Sequence, residues 1–219
     1  SVGLYNFDRL KWIVVLDDDI KFEKFKKGDL DYFYVAKALQ WVKETDFDKV
    51  QNGWIQKRKI YNQCPQGFSG FALNMRRPPF NDKRVRQAFA YLFNREKLID
   101  KLFFNEYEYI DSYHPGSVWE NPNNPKIRYN PEKAAQLLAE AGWSKRNEQG
   151  WLVNEKGEVL QVTLEFGSQS MERIFTVVRE DFQKAGILFE LKLIDYRTLL
   201  KKVERSEERR VGKECRSRW

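Results

Sequence analysis

The side chains best suited to chemistry in this chain are Ser112, His114 and Asp111, which lie within four residues of one another. Serine, histidine and aspartate can act as nucleophile, general base and orienting acid, so the group suggests a hydrolase. His114 is the sole histidine, however, and neither an activated-serine motif nor a cluster of carboxylates accompanies it. We therefore interpret His114 as a surface loop residue and predict that the chain is not an enzyme, with a hydrolase as an alternative.

Cysteine usage argues against two further kinds of site. The chain has two cysteines, and Cys215 falls in a terminal stretch, RSEERRVGKECRSRW at 205–219, that shows no apolar periodicity. These residues resemble the in-frame translation of a sequencing-adapter oligonucleotide, so we interpret them as a non-native tail; a natural basic tail is the alternative. With Cys64 alone in the rest of the chain, we expect no internal disulfide and no cysteine-based metal site. We predict neither a metal nor a cofactor.

The net charge of +7 and the isoelectric point near 9.2 raise a second alternative, a basic nucleic-acid-binding module. The tail holds six basic and three acidic residues, so residues 1–204 keep a charge of only +4. Nucleic-acid binders concentrate basic residues on one face, whereas here they are mixed with acidic residues throughout. We therefore predict a solvated surface and no nucleic-acid partner.

Hydrophobic residues at 42% and aromatic residues at 15% indicate an ordered globular protein, and no apolar run is long enough to span a membrane.

Two capped amphipathic helices stand out among the elements that must position any site. Asp82 is suited to cap the first helix, and Asn130 with Pro131 begins the second, which Gly142 ends. Apolar residues three and four positions apart form one buried stripe on each helix. The two stripes consist of Val85, Ala88, Phe89 and Leu92, and of Ala134, Leu137, Leu138 and Ala141.

The remaining pattern predicts strands and helices in alternation. A strand, helix, strand order that occurs twice is typical of an α/β fold with helices packed on a sheet. Residues 104–129, rich in tyrosine, asparagine and proline, are predicted to wrap over the surface. Strands are predicted at 10–16, 32–35, 54–61, 68–75, 151–153, 159–166 and 187–194, and helices at 20–27, 36–44, 170–185 and 196–203. The strands at 151–153 and 159–166 flank residues 154–157 and are predicted to form a hairpin, and Ser170 is predicted to cap the helix that Gly186 ends.

Several short motifs occur in a characteristic order: Asn74, Pro78-Pro79-Phe80, Asp82, Arg84-Val85-Arg86-Gln87-Ala88, Asn94-Arg95-Glu96, Tyr129-Asn130-Pro131-Glu132-Lys133-Ala134, Leu137-Leu138 and Glu140-Ala141-Gly142-Trp143. This order resembles the family 5 extracellular solute-binding proteins, the dipeptide- and oligopeptide-binding receptors of ABC importers. The resemblance covers residues 1–204. Segments 5–9, 25–31 and 71–78 look most like the branch that handles oligopeptides and peptide-nucleotide antibiotics of the microcin C type.

The resemblance implies an α/β fold of the periplasmic-binding-protein type (class II, cluster C), present in part. It implies the end of a lobe I segment at 1–61, a hinge or crossover at 62–70 and an incomplete lobe II at 71–204, followed by the tail at 205–219. We therefore expect the chain to be a fragment that lacks the main ligand anchors and exposes apolar faces.

The function implied by the resemblance is that of a receptor. It binds peptides, oligopeptides or peptide-like compounds in a cleft between two lobes and delivers them to the membrane permease subunits of an ABC importer. Closure of the lobes reports occupancy, so no residue needs to perform chemistry. We expect a periplasmic protein, or an extracellular lipoprotein anchored to the membrane, that is monomeric at full length.

Candidate ligand contacts lie on the segment before the first capped helix. Gln66, Phe68, Ser69 and Phe71 are predicted to touch the ligand, with backbone hydrogen bonds like those of an added strand. The aromatic rings of Phe68 and Phe71 would flank apolar side chains of the ligand. Packing in the protein core is the alternative for both rings.

Overall fold

The structure, a computed structural model, describes residues 6–61 and 70–205. The chain divides into two compact units, residues 1–61 and residues 62–219. Cys64, Gln66, Phe68 and Ser69 lie outside the described residues, as does the predicted tail beyond residue 205.

Helix α1 (Asp18–Lys27) is the main element of the first unit. The Asp17 side chain caps it by accepting hydrogen bonds from the backbone N–H groups of Asp19 and Ile20, both at 2.9 Å. Phe22 is buried on this helix, and its ring centroid lies 5.3 Å from that of Phe33. A π-helical turn (Gln40–Glu44) and the short helix α2 (Asp48–Gln51) complete the regular structure of this unit. The helix predicted at 20–27 is thus confirmed.

The prediction of three strands in the first unit is wrong. Residues 10–16, 32–35 and 54–61 form no strand. Strands need a neighbour for their N–H and C=O groups, and none pairs with them within the described ranges. Alternate side chains along the first segment are instead exposed to solvent: Trp12 by 81%, Val14 by 86% and Leu16 by 97%. The expectation of exposed apolar faces is confirmed here.

The helices of the second unit follow the predicted caps closely. Helix α3 (Lys83–Leu92) begins after Asp82, whose carboxylate accepts from the Arg84 backbone N–H at 2.7 Å. Helix α4 (Arg95–Lys101), which the periodicity did not predict, follows at once with Asn94 as its cap. Helix α5 (Pro131–Glu140) begins after Asn130, which accepts from the Lys133 N–H at 2.8 Å, and it packs against α3.

A strand, helix, strand unit forms the rest of the second unit. Strands β1 (Lys145–Arg146) and β2 (Leu152–Val153) pair antiparallel. Strands β3 (Gln161–Phe166) and β4 (Leu188–Leu193) pair in parallel, with Gln161 opposite Leu188. Helix α6 (Glu172–Lys184) connects them, and α7 (Tyr196–Arg205) follows β4.

Two predicted details of this region differ from the structure. Ser170 does not cap α6, because a 3-10 turn (Gln169–Met171) precedes the helix and Met171 occupies the cap position. The strand predicted at 68–75 is absent from residues 70–75, which run as an irregular segment into a turn. The hairpin predicted around residues 154–157 is confirmed. Val153 pairs antiparallel with Val159, and the Leu160 N–H donates to the Leu152 carbonyl at 2.8 Å.

One hydrophobic core joins these elements. Both predicted helix stripes contribute to it, with Val85, Ala88, Leu92 and Ala134 fully buried. Burial of a large apolar side chain contributes about 1.5–3 kcal/mol, so the core is the main source of stability in this unit. The other buried members are Phe89, Leu98, Leu137, Leu138, Leu152, Leu160, Val178, Phe182, Ile187 and Phe189.

The end of α6 gives a first stability prediction. Gly186 has a φ of +91°, and a Cβ placed there would overlap the Arg146 guanidinium, which donates to the Ala185 carbonyl at 3.0 Å. We expect Gly186→Ala to lower the free energy of unfolding by about 2–4 kcal/mol, from left-handed strain and a displaced arginine. Gly157→Ala, where φ is +78° and the added Cβ meets open space, should cost only about 1–2 kcal/mol. Urea unfolding measures both, and equal losses would contradict the role given to Arg146.

The cap of α3 gives a second prediction, on pH. Hydrogen bonding to the Arg84 guanidinium holds the pKa of Asp82 below its usual value. A carboxylate with a depressed pKa stabilises the folded state above the unfolded pKa, near 4, and this stabilisation is lost as the pH falls through the folded pKa. Asp82→Asn keeps a capping oxygen but cannot titrate.

We expect the wild type to exceed Asp82→Asn in unfolding free energy by about 0.5–1 kcal/mol at neutral pH. The difference should shrink towards zero as the pH falls below about 4, because the carboxylate then takes up a proton. Urea unfolding followed by circular dichroism at several pH values measures it. A difference that does not change with pH would contradict the assignment of Asp82 as a charged cap.

Candidate ligand-binding site

Of the four predicted ligand contacts, Phe71 is the one that the structure describes. Its ring lies 5.1 Å from Phe93, 5.9 Å from Phe175 and 6.3 Å from Phe189, measured between centroids. The residue is half-buried and packs against the hydrophobic core. Phe71 therefore fixes the start of the described second unit to α3, α6 and β4, and its role as a ligand contact stays a prediction.

Phe71 is one member of a continuous row of phenylalanine rings, here called the phenylalanine row. Neighbouring centroids along it lie 4.8–6.3 Å apart, within the range of favourable aromatic contacts. The row crosses the core from the turn before α3 to the end of β3. In order of contact, with Phe93 branching from Phe71, it consists of Phe80, Phe89, Phe182, Phe189, Phe71, Phe93, Phe175 and Phe166.

The segment between Phe71 and α3 is held by its own polar contacts. The Asn74 side chain accepts a hydrogen bond from the Arg76 N–H at 3.1 Å, which tightens the turn. The Arg86 guanidinium reaches back from α3 to the Phe80 carbonyl at 2.7 Å. This stretch is therefore anchored at both ends, by the row and by a helix side chain.

A second anchored region lies between α4 and α5, where the sequence predicts an irregular surface segment. The Tyr109 ring lies 4.4 Å from the Arg128 guanidinium and 5.3 Å from that of Arg95, so two cations face one aromatic ring. Arg95 also donates to the Ile127 carbonyl at 3.0 Å. Desolvation, followed by the nearby Glu96 carboxylate, raises the pKa of Tyr109.

Asp111 closes this region into a loop. Its two carboxylate oxygens each accept from Arg128 at 2.9 Å, and its carbonyl accepts from the Asn124 side chain at 2.9 Å. Hydrogen bonding to Arg128 lowers the pKa of Asp111. Residues 111 and 124 are thereby held together, and most of the residues between them are exposed. No spacing rule in the sequence connects residues 109, 111 and 128, so sequence reasoning missed this arrangement.

The geometry does not assemble Ser112, His114 and Asp111 into a catalytic group. The Asp111 carboxylate is engaged by Arg128, and the Ser112 hydroxyl accepts from the His114 backbone N–H at 3.1 Å. His114 is exposed. The hydrolase alternative therefore gains no support from the described residues.

Other kinds of site are not evident in the part of the chain that the structure describes. Within residues 6–61 and 70–205, no group of three His, Cys, Asp or Glu side chains is arranged to hold a metal ion. None of the helices in those ranges combines the length and the apolar character of a membrane span. A shallow depression of about 450 Å³ lies along β4.

Known proteins resemble the chain over most of its length. The family described as bacterial extracellular solute-binding proteins, family 5 Middle, matches residues 1–210. Protein y4wM from Sinorhizobium fredii is 28% identical over 89% of the chain and 34% of its own length. The probable peptide-binding protein YejA from Agrobacterium fabrum is 26% identical over 89% of the chain and 37% of its own length.

The oligopeptide-binding protein AppA from Bacillus subtilis is 27% identical over 90% of the chain and 35% of its own length. The match to its solved structure, in complex with a nonapeptide, has a TM-score of 0.63 and 26% sequence identity. It covers 87% of the chain and 37% of AppA. The chain thus spans about a third of the length of these relatives. They confirm the predicted α/β fold of the periplasmic-binding-protein type, present in part. With a family match over nearly its whole length, the chain belongs to the family 5 bacterial extracellular solute-binding proteins.

Proposed function

We propose that the chain is part of the substrate-binding receptor of an ABC importer and that this receptor binds peptides or peptide-like compounds. The observation that carries the proposal is membership of family 5, together with two relatives whose names describe peptide binding. Both relatives are binding proteins, which supports a receptor and not an enzyme. A preference for peptide-nucleotide compounds of the microcin C type stays part of this proposal.

The proposed mechanism is closure of two lobes around the ligand. Residues 1–61 would belong to lobe I and residues 71–204 to lobe II, with a hinge or crossover at 62–70. Fixed polar groups in the cleft replace the hydration of the ligand, and the closed state is the one that the permease subunits recognise. We propose a periplasmic or extracellular location, with a lipid anchor as one form, and a monomeric full-length receptor.

Within this proposal, Gln66, Phe68, Ser69 and Phe71 contact the ligand. An extended peptide can bind through main-chain hydrogen bonds, with specificity from pockets for alternate side chains. Phe71 itself packs in the phenylalanine row, which holds the end of this segment in one place. A fixed contact residue lowers the entropy lost on binding.

The test of the function is retention of peptides by the 219-residue chain. The chain is equilibrated with a mixture of synthetic tripeptides to nonapeptides across a dialysis membrane, retained peptides are identified by mass spectrometry, and their binding is measured by calorimetry. Because the chain is expected to lack the main ligand anchors, we expect weak but saturable binding of some peptides, and no retention of single-stranded DNA at physiological ionic strength. Absence of any retained peptide would overturn the proposal, and salt-sensitive DNA binding would favour the nucleic-acid alternative.

The test of the site uses polar substitutions. Ser69→Ala and Gln66→Ala should each weaken peptide binding about tenfold, equivalent to ~1.4 kcal/mol, because each removes one side chain proposed to contact the ligand. Gln149→Ala, an exposed residue in the turn between β1 and β2, is the matched control and should bind as the wild type does. Unchanged binding in both site variants would remove residues 66 and 69 from the site.

A further inference from the structure

Residues 106–124, here called the recognition loop, form a preorganised surface that the proposed contacts do not include. Asp111 and Asn124 close its base, and Tyr109 is held between Arg95 and Arg128. Conformational entropy is lost when these contacts form on folding, so it is not lost again when a ligand binds.

The tip of the loop presents apolar side chains to solvent. Val118 is 92% exposed and Trp119 is 79% exposed. Two backbone hydrogen bonds constrain the turn that carries them. The Gly116 backbone N–H donates to the Glu120 carboxylate at 2.7 Å, and the Trp119 backbone N–H donates to the Ser117 hydroxyl at 3.2 Å. Exposed apolar side chains that lie next to each other mark contact surfaces more often than those scattered singly.

The charge of the loop is opposite to that of the chain. Residues 106–124 contain four acidic residues and no lysine or arginine, although the whole chain carries +7. Arg128 neutralises Asp111, whereas Glu108 at the stem is exposed and Glu120 flanks Trp119. Arg95, Arg128 and Lys126 act on Asp111, so the exposed acidic charge of the loop is that of Glu108 and Glu120. Exposed carboxylates repel the phosphates of nucleic acids and attract cationic ligands.

The composition of the loop matches that of surfaces that bind polypeptides. Tyrosine and tryptophan supply rigid contact area with few rotatable bonds, and serine, glycine and asparagine supply adaptable hydrogen bonds. An indole face also attracts ammonium and guanidinium groups. Acidic charge, an exposed indole and a closed loop therefore favour one class of occupant, a peptide with positive charge.

We propose that the recognition loop selects cationic peptides, with Trp119 packing on the ligand and Glu108 and Glu120 facing its positive charge. This inference rests on the proposed peptide-binding function and adds a charge preference and a second contact region to it. Glu108 and Trp119 are specificity-determining residues, and Arg128 is a positioning residue that holds the loop base.

The test compares two synthetic pentapeptides of equal length and opposite side-chain charge, Lys-Leu-Lys-Leu-Lys and Glu-Leu-Glu-Leu-Glu. Each is titrated into the 219-residue chain by calorimetry and by NMR of the tryptophan indole N–H signals, with the Trp119 signal assigned from Trp119→Phe. We expect the cationic peptide to bind at least about tenfold more tightly and to shift the Trp119 signal. Trp119→Ala should weaken its binding about tenfold, and Glu108→Gln about threefold with a smaller salt dependence.

Trp54→Ala is the matched control, because Trp54 is 76% exposed and lies in the first unit. It should leave the affinity unchanged. Binding of both peptides with equal affinity, or binding that Trp119→Ala does not affect, would overturn the recognition loop and leave the proposed function standing. A failure of every peptide in the earlier mixture to bind would overturn the function itself. If Trp119→Ala lowered the sedimentation mass without changing peptide affinity, the occupant would be a second copy and the proposal wrong.

Discussion

The contact between Phe182 and Phe189 is the constraint on which the second unit depends. Their ring centroids are 4.8 Å apart and both side chains are almost completely buried. The contact joins α6 to β4, and a parallel strand pair needs such a connection because the chain must cross the sheet between its strands. Phe89 adds α3 at 4.8 Å from Phe182, and Phe71 adds the preceding segment. One pair of rings thus holds three separate parts of the sequence together.

Charged side chains connect this core to residues nearer the surface. Asp181, next to Phe182, is buried and binds Lys97 of α4 at 3.2 Å. A buried ion pair is sensitive to the loss of either partner, so it fixes where α4 lies against α6. Two residues earlier on α4, Arg95 faces the Tyr109 ring and binds the Ile127 carbonyl. Through this short helix, the recognition loop is tied to the core.

The helix caps could be predicted because they depend on residues close by in the sequence. The wrong or missing predictions concern elements that depend on contacts between residues far apart in the sequence. Asp82 and Asn130 satisfy the first backbone N–H groups of their helices by contacts within three residues, so their sequence alone identified them. Helix α4 has seven residues and a single buried side chain, Leu98, and depends on Lys97 meeting a residue 84 positions away. Residues 10–16 have the apolar pattern of a strand, but a strand forms only where a neighbouring strand pairs with it. The base of the recognition loop likewise joins residues 13 and 17 positions apart, a separation that periodicity does not detect.

Rigid packing also limits where the proposed receptor can bend. Phe71 contacts three rings of a close-packed core, and such cores move as bodies because deformation breaks many contacts at once. From Phe71 to α3, the Asn74 turn and the Arg86 contact with the Phe80 carbonyl oppose local rearrangement. If the lobes close as we propose, the change in backbone torsion must therefore occur before Phe71. The recognition loop, fixed to the same core through Arg95, would then move with lobe II as one body and keep its shape as the cleft closes.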